Sequence, residues 1–269
     1  MCTGIIIGAD RSSFGRVFMA KNRDKECGEI RGEEMVVKDR LDYSFMGVNH
    51  RSRPDIITQG INEKGLCLGT FFVKINKPGW EEDWKPIPGA DATLRKCGVL
   101  GRAILGLCAN VEEAIRFVTE EIEHGRYMGG SMLLADATEG AIIEGTDSEF
   151  AVQRITKGIQ VRTNHFIFLD EFGPDVYSYP SSYMRRKRVQ DLLAPKKKVA
   201  PKDIMEVYRD HDPDPSEYSI CRHAIPENLM NHDTVSSSIM IPKNDDGVPE
   251  LLNAPGNGCT HDFISHIFD

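Results

Sequence analysis

Short β-rich segments separated by turn residues recur along most of this chain, and they limit the folds that it can adopt. Two groups of helical segments interrupt them, so that the order is strands, helices, strands, helices, strands. Turn signals such as Asn62-Glu63-Lys64-Gly65 join neighbouring strand segments, which is typical of hairpins and hence of antiparallel sheets. The predicted strands are residues 3–8, 16–22, 35–38, 56–59, 66–75, 131–135, 140–144, 150–155, 159–163 and 234–241, with a last one at the C-terminus.

The helical segments are identified by the spacing of their apolar residues. In residues 111–123 the apolar side chains lie three and four positions apart, and Asn110 directly before them is a favourable N-cap. Pro201 stands where the first residue of a helix is expected. The predicted helices are residues 99–108, 111–123, 181–193 and 201–209. Because the helices are grouped between blocks of strands, we predict an α+β fold with helical layers over stacked antiparallel sheets.

Length and charge restrict the function. The 269 residues suit a single domain, which we expect to span residues 2–269. A formal net charge of −8 gives the chain no general attraction for nucleic acid or anionic membranes. No segment has the roughly 20 apolar residues of a membrane span, and no basic segment precedes the apolar run Ile5-Ile6-Ile7, so a secretory signal is not expected.

The cysteine pattern bears on compartment and cofactors. The seven cysteines form no CxxC pair, so we expect free thiols in a reducing cytoplasm. The spacings show no cluster of metal ligands, and no phosphate-binding loop is recognised. Neither a metal nor another cofactor is therefore expected.

Cys2 is the strongest candidate for a catalytic residue. Methionine aminopeptidase tolerates small residues after Met1, so we expect Met1 to be removed and Cys2 to become the terminus. A free α-amine has an ordinary pKa of about 7.7–8.0, low enough to act as a base near neutral pH. One residue then supplies both a thiol nucleophile and its base. The alternative is a chance cysteine without a catalytic role.

Two further segments carry polar residues that suit this chemistry. Asp24, at the end of Lys21-Asn22-Arg23-Asp24, could accept a hydrogen bond from the terminal ammonium. Asn164 ends a predicted strand, and an amide aimed at a reacting carbonyl is a standard oxyanion donor. We interpret the neighbouring His165 as structural, because a free terminal amine makes a histidine base unnecessary.

Ser219-Ile220-Cys221-Arg222-His223 allows two interpretations. Alternate residues of an extended segment share a face, so Cys221 and His223 could form a Cys/His dyad. Arg222 faces the other way and is the better candidate for contact with Cys2 or the substrate. The two interpretations therefore predict opposite faces.

In their order, these motifs resemble those of the N-terminal-nucleophile (Ntn) cysteine hydrolases. This superfamily contains the conjugated bile salt hydrolases, the penicillin V acylases and the acyl-coenzyme A:isopenicillin N acyltransferases. The resemblance runs from residue 2 to roughly residue 260 and rests on Met1-Cys2-Thr3-Gly4, Asn22-Arg23-Asp24, Asn62-Glu63-Lys64-Gly65-Leu66, Thr163-Asn164-His165 and Cys221-Arg222-His223.

The resemblance implies a four-layer αββα fold and a thioester intermediate on Cys2. It also implies that Asp24 holds the α-amine, that Asn164 helps to form the oxyanion hole, and that Arg222 lies near the nucleophile. Lys21, Asn22, His165 and Thr70 are expected to support this site.

Two departures from the family pattern matter. Lys21 stands where the family usually has an arginine, and it lacks the planar fork of a guanidinium. Bile salt hydrolases carry a second oxyanion asparagine about where this chain has Thr70-Phe71-Phe72. We therefore expect a backbone N–H as the second donor and disfavour a bile salt substrate.

Hydrolysis of a linear amide, such as an N-acyl amino acid, is the leading functional hypothesis. Acyl transfer from a thioester such as acyl-coenzyme A to an amine would use the same acyl-enzyme. A glutamine amidotransferase domain also begins Met-Cys but usually continues with glycine, and a non-catalytic binding protein on the same scaffold is the remaining alternative. The expected partner is a small-molecule amide substrate, and the chain could also form a homo-oligomer. Trp80 and Trp84, in the loop 78–91, could line the substrate pocket.

Overall fold

The computed structural model of the chain describes residues 1–26, 34–50, 56–75, 97–124, 129–146, 149–211, 216, 218–223 and 232–268. In this part of the chain the strands form two antiparallel sheets. The six-stranded sheet contains, in spatial order, β10 (Ile159–Arg162), β1 (Cys2–Ile7), β2 (Phe18–Glu26), β11 (His232–Ile241), β12 (Glu250–Ala254) and β13 (Ile264–Ile267). The seven-stranded sheet contains β3 (Glu34–Arg40), β4 (Ser44–His50), β5 (Gln59–Asn62), β6 (Cys67–Phe71), β7 (Gly130–Ala135), β8 (Gly140–Gly145) and β9 (Phe150–Ile155).

The side chains of β1 show how the layers are stacked. Ile6 belongs to the apolar cluster between the two sheets, whereas Ile5 and Ile7 belong to the cluster under the helices that cover the six-stranded sheet. This division follows from the two-residue period of a strand. Because both faces of β1 are buried, the strand ends in the continuous apolar run Ile5-Ile6-Ile7 rather than in an alternating pattern.

Helices cover the outer face of each sheet. α1 (Cys97–Leu107) and α2 (Val111–Glu123) pack on the seven-stranded sheet. α3 (Pro180–Leu193) and α4 (Pro201–Val207) pack on the six-stranded sheet, and a 3₁₀ turn covers Asp170–Phe172. The α+β, four-layer αββα architecture is therefore confirmed. Among the described residues, no helix combines the length and the apolar character that crossing a bilayer requires.

The beginning of α2 follows directly from its sequence. The side chain of Asn110 accepts a hydrogen bond from the Glu113 N–H at 3.0 Å, and the Glu113 carboxylate accepts one from the Ala109 N–H at 2.8 Å. These bonds satisfy N–H groups that have no partner within the helix. The predicted limits of this helix and its N-cap are confirmed.

The turn predicted at residues 62–65 is confirmed and connects β5 with β6. The Asn62 side chain accepts hydrogen bonds from the N–H groups of Lys64 at 3.1 Å and Leu66 at 2.9 Å. Gly65 has a φ of +87°, and a Cβ there would lie 2.6 Å from the carbonyl oxygen of Pro242. Glycine alone suits this position.

Two strands were not expected from the sequence. In β4 a glycine interrupts the apolar pattern, because Ile57 packs 2.7 Å from where a Cβ of Gly47 would stand. β12 is short and begins with Glu250. Both strands are recruited by pairing with longer neighbours, which local sequence does not reveal.

Other predicted boundaries shift, and some fall beyond the described chain. β5 begins at Gln59, where the predicted strand 56–59 ends. The predicted strand 66–75 is reduced to β6. The loop 78–91, with Trp80 and Trp84, lies outside the described residues.

A buried ion pair fixes the segment that follows β10. Arg162 and Glu144 have side chains that are 1% and 0% exposed, and Arg162 Nε donates to Glu144 Oε1 at 3.1 Å. The second carboxylate oxygen of Glu144 accepts the N–H groups of Ile167 and Phe168, both at 2.8 Å. The Glu144 carboxylate thus binds the residues that directly precede and follow residues 163–166 and holds this segment in place.

Glu144→Gln should destabilise the fold by about 3–5 kcal/mol, because it leaves the buried Arg162 charge without its counter-ion. Urea unfolding of both proteins measures this difference. Asp191→Asn is the matched control, since it breaks the exposed Lys187–Asp191 pair, whose side chains are 75% and 54% exposed. The control should lose less than about 1 kcal/mol. Equal losses in the two variants would contradict the role given to Glu144.

Candidate functional site

Cys2 lies at the first position of β1, the second strand from the edge of the six-stranded sheet. Its side chain is 7% exposed and belongs to the cluster between the sheets. β1 pairs with β10 on one side and with β2 on the other. Residues that end these two neighbours are therefore brought to Cys2, and they include Asp24 of β2 and Asn164 just after β10.

Asn164 binds the main-chain nitrogen of Cys2. Its Oδ1 accepts the Cys2 N–H at 2.8 Å and an Arg185 N–H at 3.1 Å. Its Nδ2 donates to the carbonyl oxygen of Phe72 at 2.7 Å. Two donors at one end and an acceptor at the other fix the orientation of the amide.

Asp24 reaches the chain terminus through its main chain. The Met1 amine donates to the Asp24 carbonyl oxygen at 2.6 Å, and the Asp24 N–H donates to the Met1 carbonyl at 2.7 Å. The carboxylate of Asp24 instead accepts the Thr234 hydroxyl at 2.8 Å. Its Oδ2 lies 3.9 Å from Nη1 of Arg222. Asp24 therefore links the terminus with the buried arginine.

The Arg222 side chain points toward the end of β1 at which Cys2 lies. It is 1% exposed, and its Nη1 lies 2.9 Å from the Met1 thioether. Cys221 and His223 lie on the other side of the segment, with Cys221 Sγ 3.8 Å from His223 Nε2. The prediction that these residues occupy opposite faces is confirmed, and Arg222 is the one directed to the terminus.

The same segment corrects one expectation. The spacing of cysteines and histidines predicted no cluster of metal ligands, but four such side chains come together in the described chain: His211, Cys221, His223 and Cys259. The prediction was wrong because the four ligands come from three separate segments of the chain and match no short zinc-binding motif.

Arg185 of α3 is a central residue that the sequence analysis missed. Its guanidinium donates to the Cys2 carbonyl at 2.7 Å, to the Thr3 hydroxyl at 2.8 Å and to Asn164. It is fully buried. The spacing of Ser181, Arg185 and Val189, four residues apart on the buried face of α3, was the signal that could have identified it.

The supporting residues Asn22 and Lys21 lie on opposite faces of β2. Asn22 accepts the Thr3 N–H at 2.6 Å and donates to the Ile220 carbonyl at 2.8 Å, so it ties β1 to the segment that carries Arg222. Lys21 is fully buried between the sheets, where its amine donates to Gln59 at 2.9 Å.

Thr70 does not reach Cys2 with its side chain. Gly69 and Phe71 face the layer between the sheets, so Thr70 faces the opposite layer, where its hydroxyl lies 3.4 Å from the Thr58 carbonyl. The residue of this segment that contacts the site is Phe72, through its carbonyl bond with Asn164. Phe72 thus contributes a main-chain acceptor to the site.

His165 makes contacts that are typical of a structural residue. Its ring stacks on Tyr183 with centroids 3.8 Å apart, and Nδ1 lies 2.8 Å from the Ser182 hydroxyl. Burial, followed by the nearby Arg186, lowers the pKa of His165 to about 3. The imidazole is therefore neutral at physiological pH.

The electrostatics around Cys2 favour a neutral amine. Burial lowers the pKa of the Met1 amine below its ordinary value. Arg185 and Arg222 add to this lowering, while Cys2 and Asp24 oppose it. Burial also raises the pKa of Tyr179 to about 12, within the electrostatic range of the same arginines. Tyr179, which the sequence analysis did not consider, therefore keeps its O–H as a hydrogen-bond donor.

The space beside Cys2 is filled by Met1. Its thioether lies between Arg222, at 2.9 Å, and Arg185, at 3.8 Å. A depression of about 370 Å³ elsewhere is lined by residues that include Lys38 and Phe268, and it shares none with this group. None of its lining residues is a cysteine or histidine, so the candidate site is the group around Cys2.

Residues 12–245 match the family model of acyl-coenzyme A:6-aminopenicillanic acid acyl-transferase. No curated protein sequence matches the chain.

Solved structures of similar fold include penicillin V acylase from Agrobacterium tumefaciens (TM-score 0.57, 15% identity, 100% of this chain and 86% of that one). The Caenorhabditis elegans orthologue of N-acylethanolamine-hydrolyzing acid amidase has a TM-score of 0.56 at 16% identity, with 100% of both chains covered. A mutant conjugated bile acid hydrolase from Clostridium perfringens has a TM-score of 0.56 at 13% identity, with 100% and 97% covered. At these identities the likeness shows the fold.

The neutral histidine gives a prediction for acid stability. Unfolded histidine titrates near 6.5, whereas His165 titrates at about 3 in the folded chain. Between these pH values His165 binds a proton in the unfolded state but not in the folded state. Its contribution to the free energy of unfolding is therefore fully present above pH 6.5 and falls as the pH drops toward 3. The contribution of His165 to the slope of unfolding free energy against pH approaches about 1.4 kcal/mol per pH unit.

Urea unfolding at a series of pH values measures this slope. His165→Asn, which retains a polar contact for Ser182, should flatten the slope. The same substitution at His124, which is exposed, should leave it unchanged. An unaltered slope in His165→Asn would show that other groups control acid stability.

Proposed function

The chain belongs to the acyl-coenzyme A:6-aminopenicillanic acid acyl-transferase family of the Ntn-hydrolase superfamily, and we propose that it is an N-terminal cysteine amidohydrolase that cleaves linear amides through a Cys2 thioester. The observation that carries this proposal is the bond from the Cys2 nitrogen to Asn164 at 2.8 Å, in a buried site shared with Asp24, Arg185 and Arg222.

Removal of Met1 would activate the site. While the Met1–Cys2 peptide bond is intact, the Cys2 nitrogen is an amide and cannot act as a base. Cleavage converts it into an amine that remains within reach of Asn164 Oδ1. It also empties the space between Arg222 and Arg185 that the methionine side chain fills. Substrate would enter this space.

The freed amine is suited to act as the general base. It would lie as deep in the protein as the Met1 amine, whose pKa burial lowers, and beside the same arginines. Burial favours the neutral form of an amine, and a neutral amine can take the proton from the Cys2 thiol. The thiolate then attacks the substrate carbonyl, and the amine returns the proton to the leaving group.

Two side chains are candidates for stabilising the tetrahedral intermediate. The amide NH₂ of Asn164 carries two protons, one of which is used by Phe72. Tyr179 stays protonated because its pKa is raised to about 12, so it can donate its O–H to a developing oxyanion. We assign the oxyanion role to Asn164 and propose Tyr179 as its partner.

The charge balance suggests the substrate class. The described side chains around Cys2 place two buried guanidinium groups, Arg185 and Arg222, against one carboxylate, Asp24. A carboxylate on the amine portion, as in an N-acyl amino acid, would balance the second guanidinium. Phe72, whose carbonyl contacts Asn164 and whose side chain is 59% exposed, would suit an apolar acyl group.

Acyl transfer is the second candidate, because the matching family is described as an acyl-transferase. The same Cys2 thioester would form from an acyl thioester, and an amine would replace water as the acceptor.

The free thiols at Cys2, Cys67 and Cys108 support our proposal that the reaction takes place in the reducing cytoplasm.

Cys2→Ala tests the nucleophile. The Met1-free protein should release product from at least one member of a panel of N-acyl amino acids, N-acyl ethanolamines, penicillin V and glycine-conjugated bile acids, or show an acyl adduct by intact mass. Cys2→Ala should show neither, because the thioester cannot form. Added amines in a second series distinguish acyl transfer from hydrolysis.

Cys108→Ala is the control, since Cys108 is buried in the outer helical layer. Cys108→Ala should still release product and still show the acyl adduct. An adduct that persists in Cys2→Ala, or a processed protein with no turnover and no adduct, would leave a binding protein on this scaffold as the better explanation.

The pH profile tests the base. The acid limb of kcat/KM should fall at an apparent pKa below the ordinary amine range of about 7.7–8.0, because activity needs the neutral amine. Asn164→Asp places an anion beside the ammonium and should move this limb to higher pH, whatever its effect on kcat. Asn110→Asp, at the remote cap of α2, should not move it. A limb that is the same in all three proteins would mean that another group is the base.

A further inference from the structure

Four side chains with metal-binding atoms converge on the far side of the Arg222 segment. His211 follows α4, Cys221 and His223 flank Arg222, and Cys259 precedes β13. One ligand atom from each lies within 4.8 Å of all the others. None of these residues has a part in the chemistry proposed for Cys2.

The separations match the edges of a tetrahedral coordination sphere. With Zn–S near 2.3 Å and Zn–N near 2.0–2.1 Å, a tetrahedron has edges of about 3.8 Å between sulfurs, about 3.5 Å between sulfur and nitrogen, and about 3.3 Å between nitrogens. The two sulfurs, Cys221 Sγ and Cys259 Sγ, are 3.5 Å apart. His223 Nε2 lies 3.1 Å from Cys259 Sγ and 3.8 Å from Cys221 Sγ. His211 Nε2 and His223 Nε2 are 3.0 Å apart.

The ligand types select the metal. Two thiolates and two imidazoles form a common set for structural zinc, and four protein ligands leave no position for a substrate. A disulfide would need only the cysteines and a sulfur separation near 2.0 Å, so it explains neither histidine. A Cys/His dyad would use one cysteine and one histidine, and it leaves the second cysteine and the second histidine unexplained.

Hydrogen bonds that do not use the ligand atoms hold this arrangement in place. The Cys221 N–H donates to the Asp210 carbonyl at 3.0 Å, which keeps Cys221 beside His211. Arg209 Nε donates to the Gly258 carbonyl at 2.9 Å, next to Cys259. The Asn257 amide donates to the Arg222 carbonyl at 2.7 Å. The main chain under all four ligands is thus fixed before a metal binds.

We propose that His211, Cys221, His223 and Cys259 form a structural zinc site. Binding would convert two thiols to thiolates and release two protons to solvent, so that the two negative charges balance the ion. Cys221 and His223 flank Arg222, whose guanidinium lies 3.9 Å from the Asp24 carboxylate. The metal would therefore fix the main chain on both sides of the arginine that faces the terminus.

Metal analysis of the full-length protein tests this proposal without any assay of activity. Mass spectrometric elemental analysis of protein purified without chelators should give about one zinc per chain. Cys259→Ser and His211→Gln should each lower bound zinc by at least about tenfold. Cys108→Ser, at a buried cysteine outside the cluster, should retain it.

Cobalt provides a second measurement in case a variant fails to fold. The wild-type protein reloaded with Co²⁺ should show the intense visible bands of a tetrahedral ion and the near-ultraviolet charge-transfer band of thiolate ligands. Zinc should displace both. The spectrum reports the ligands in the unaltered chain.

Three results would overturn the zinc site. One is a wild-type protein that binds neither zinc nor cobalt with its thiols reduced. Another is full metal content in the folded Cys259→Ser and His211→Gln proteins. The third is a Cys221–Cys259 disulfide in non-reducing peptide maps of freshly purified protein, which would make the pair a redox couple instead.

Discussion

The buried guanidinium of Arg185 is the interaction on which the site depends. A buried charge is costly unless its donors are satisfied, so the acceptors around it are held in fixed positions. Those acceptors are the Cys2 carbonyl, the Thr3 hydroxyl and Asn164 Oδ1. Through them, a residue on the outer helical layer determines where β1 begins and how the amide beside Cys2 is oriented.

The sheet then brings the remaining groups to the same place. β1 lies between β2 and β10, so the ends of both neighbours meet at Cys2. The Glu144–Arg162 pair anchors the segment after β10, and Asn22 ties β1 to the main chain just before Cys221. Each of these bonds is buried, so water competes with none of them and the geometry is rigid. This is the preorganisation that acyl chemistry requires.

The segment around Arg222 lies between the two proposed sites. Its side chains alternate, so the arginine faces the chain terminus while Cys221 and His223 face His211 and Cys259. A metal held on one face would limit the movement of the arginine on the other. In both proposals Arg222 is the link, because its charge is directed at the chain terminus and the metal would form a cross-link behind it.

The sequence by itself determined the α+β architecture, the boundaries of α2 and the turn at residues 62–65, because these are expressed in local periodicity, caps and turn residues. It also proposed Cys2, Asp24, Asn164 and Arg222 as site residues through short ordered motifs. Only the tertiary structure decided that Arg185 clamps β1, that Thr70 faces away, that Phe72 meets Asn164 and that four distant ligands converge. The physical reason is that burial, and the pairing of strands distant in sequence, decide which polar groups must satisfy each other. No short stretch of the chain encodes these contacts.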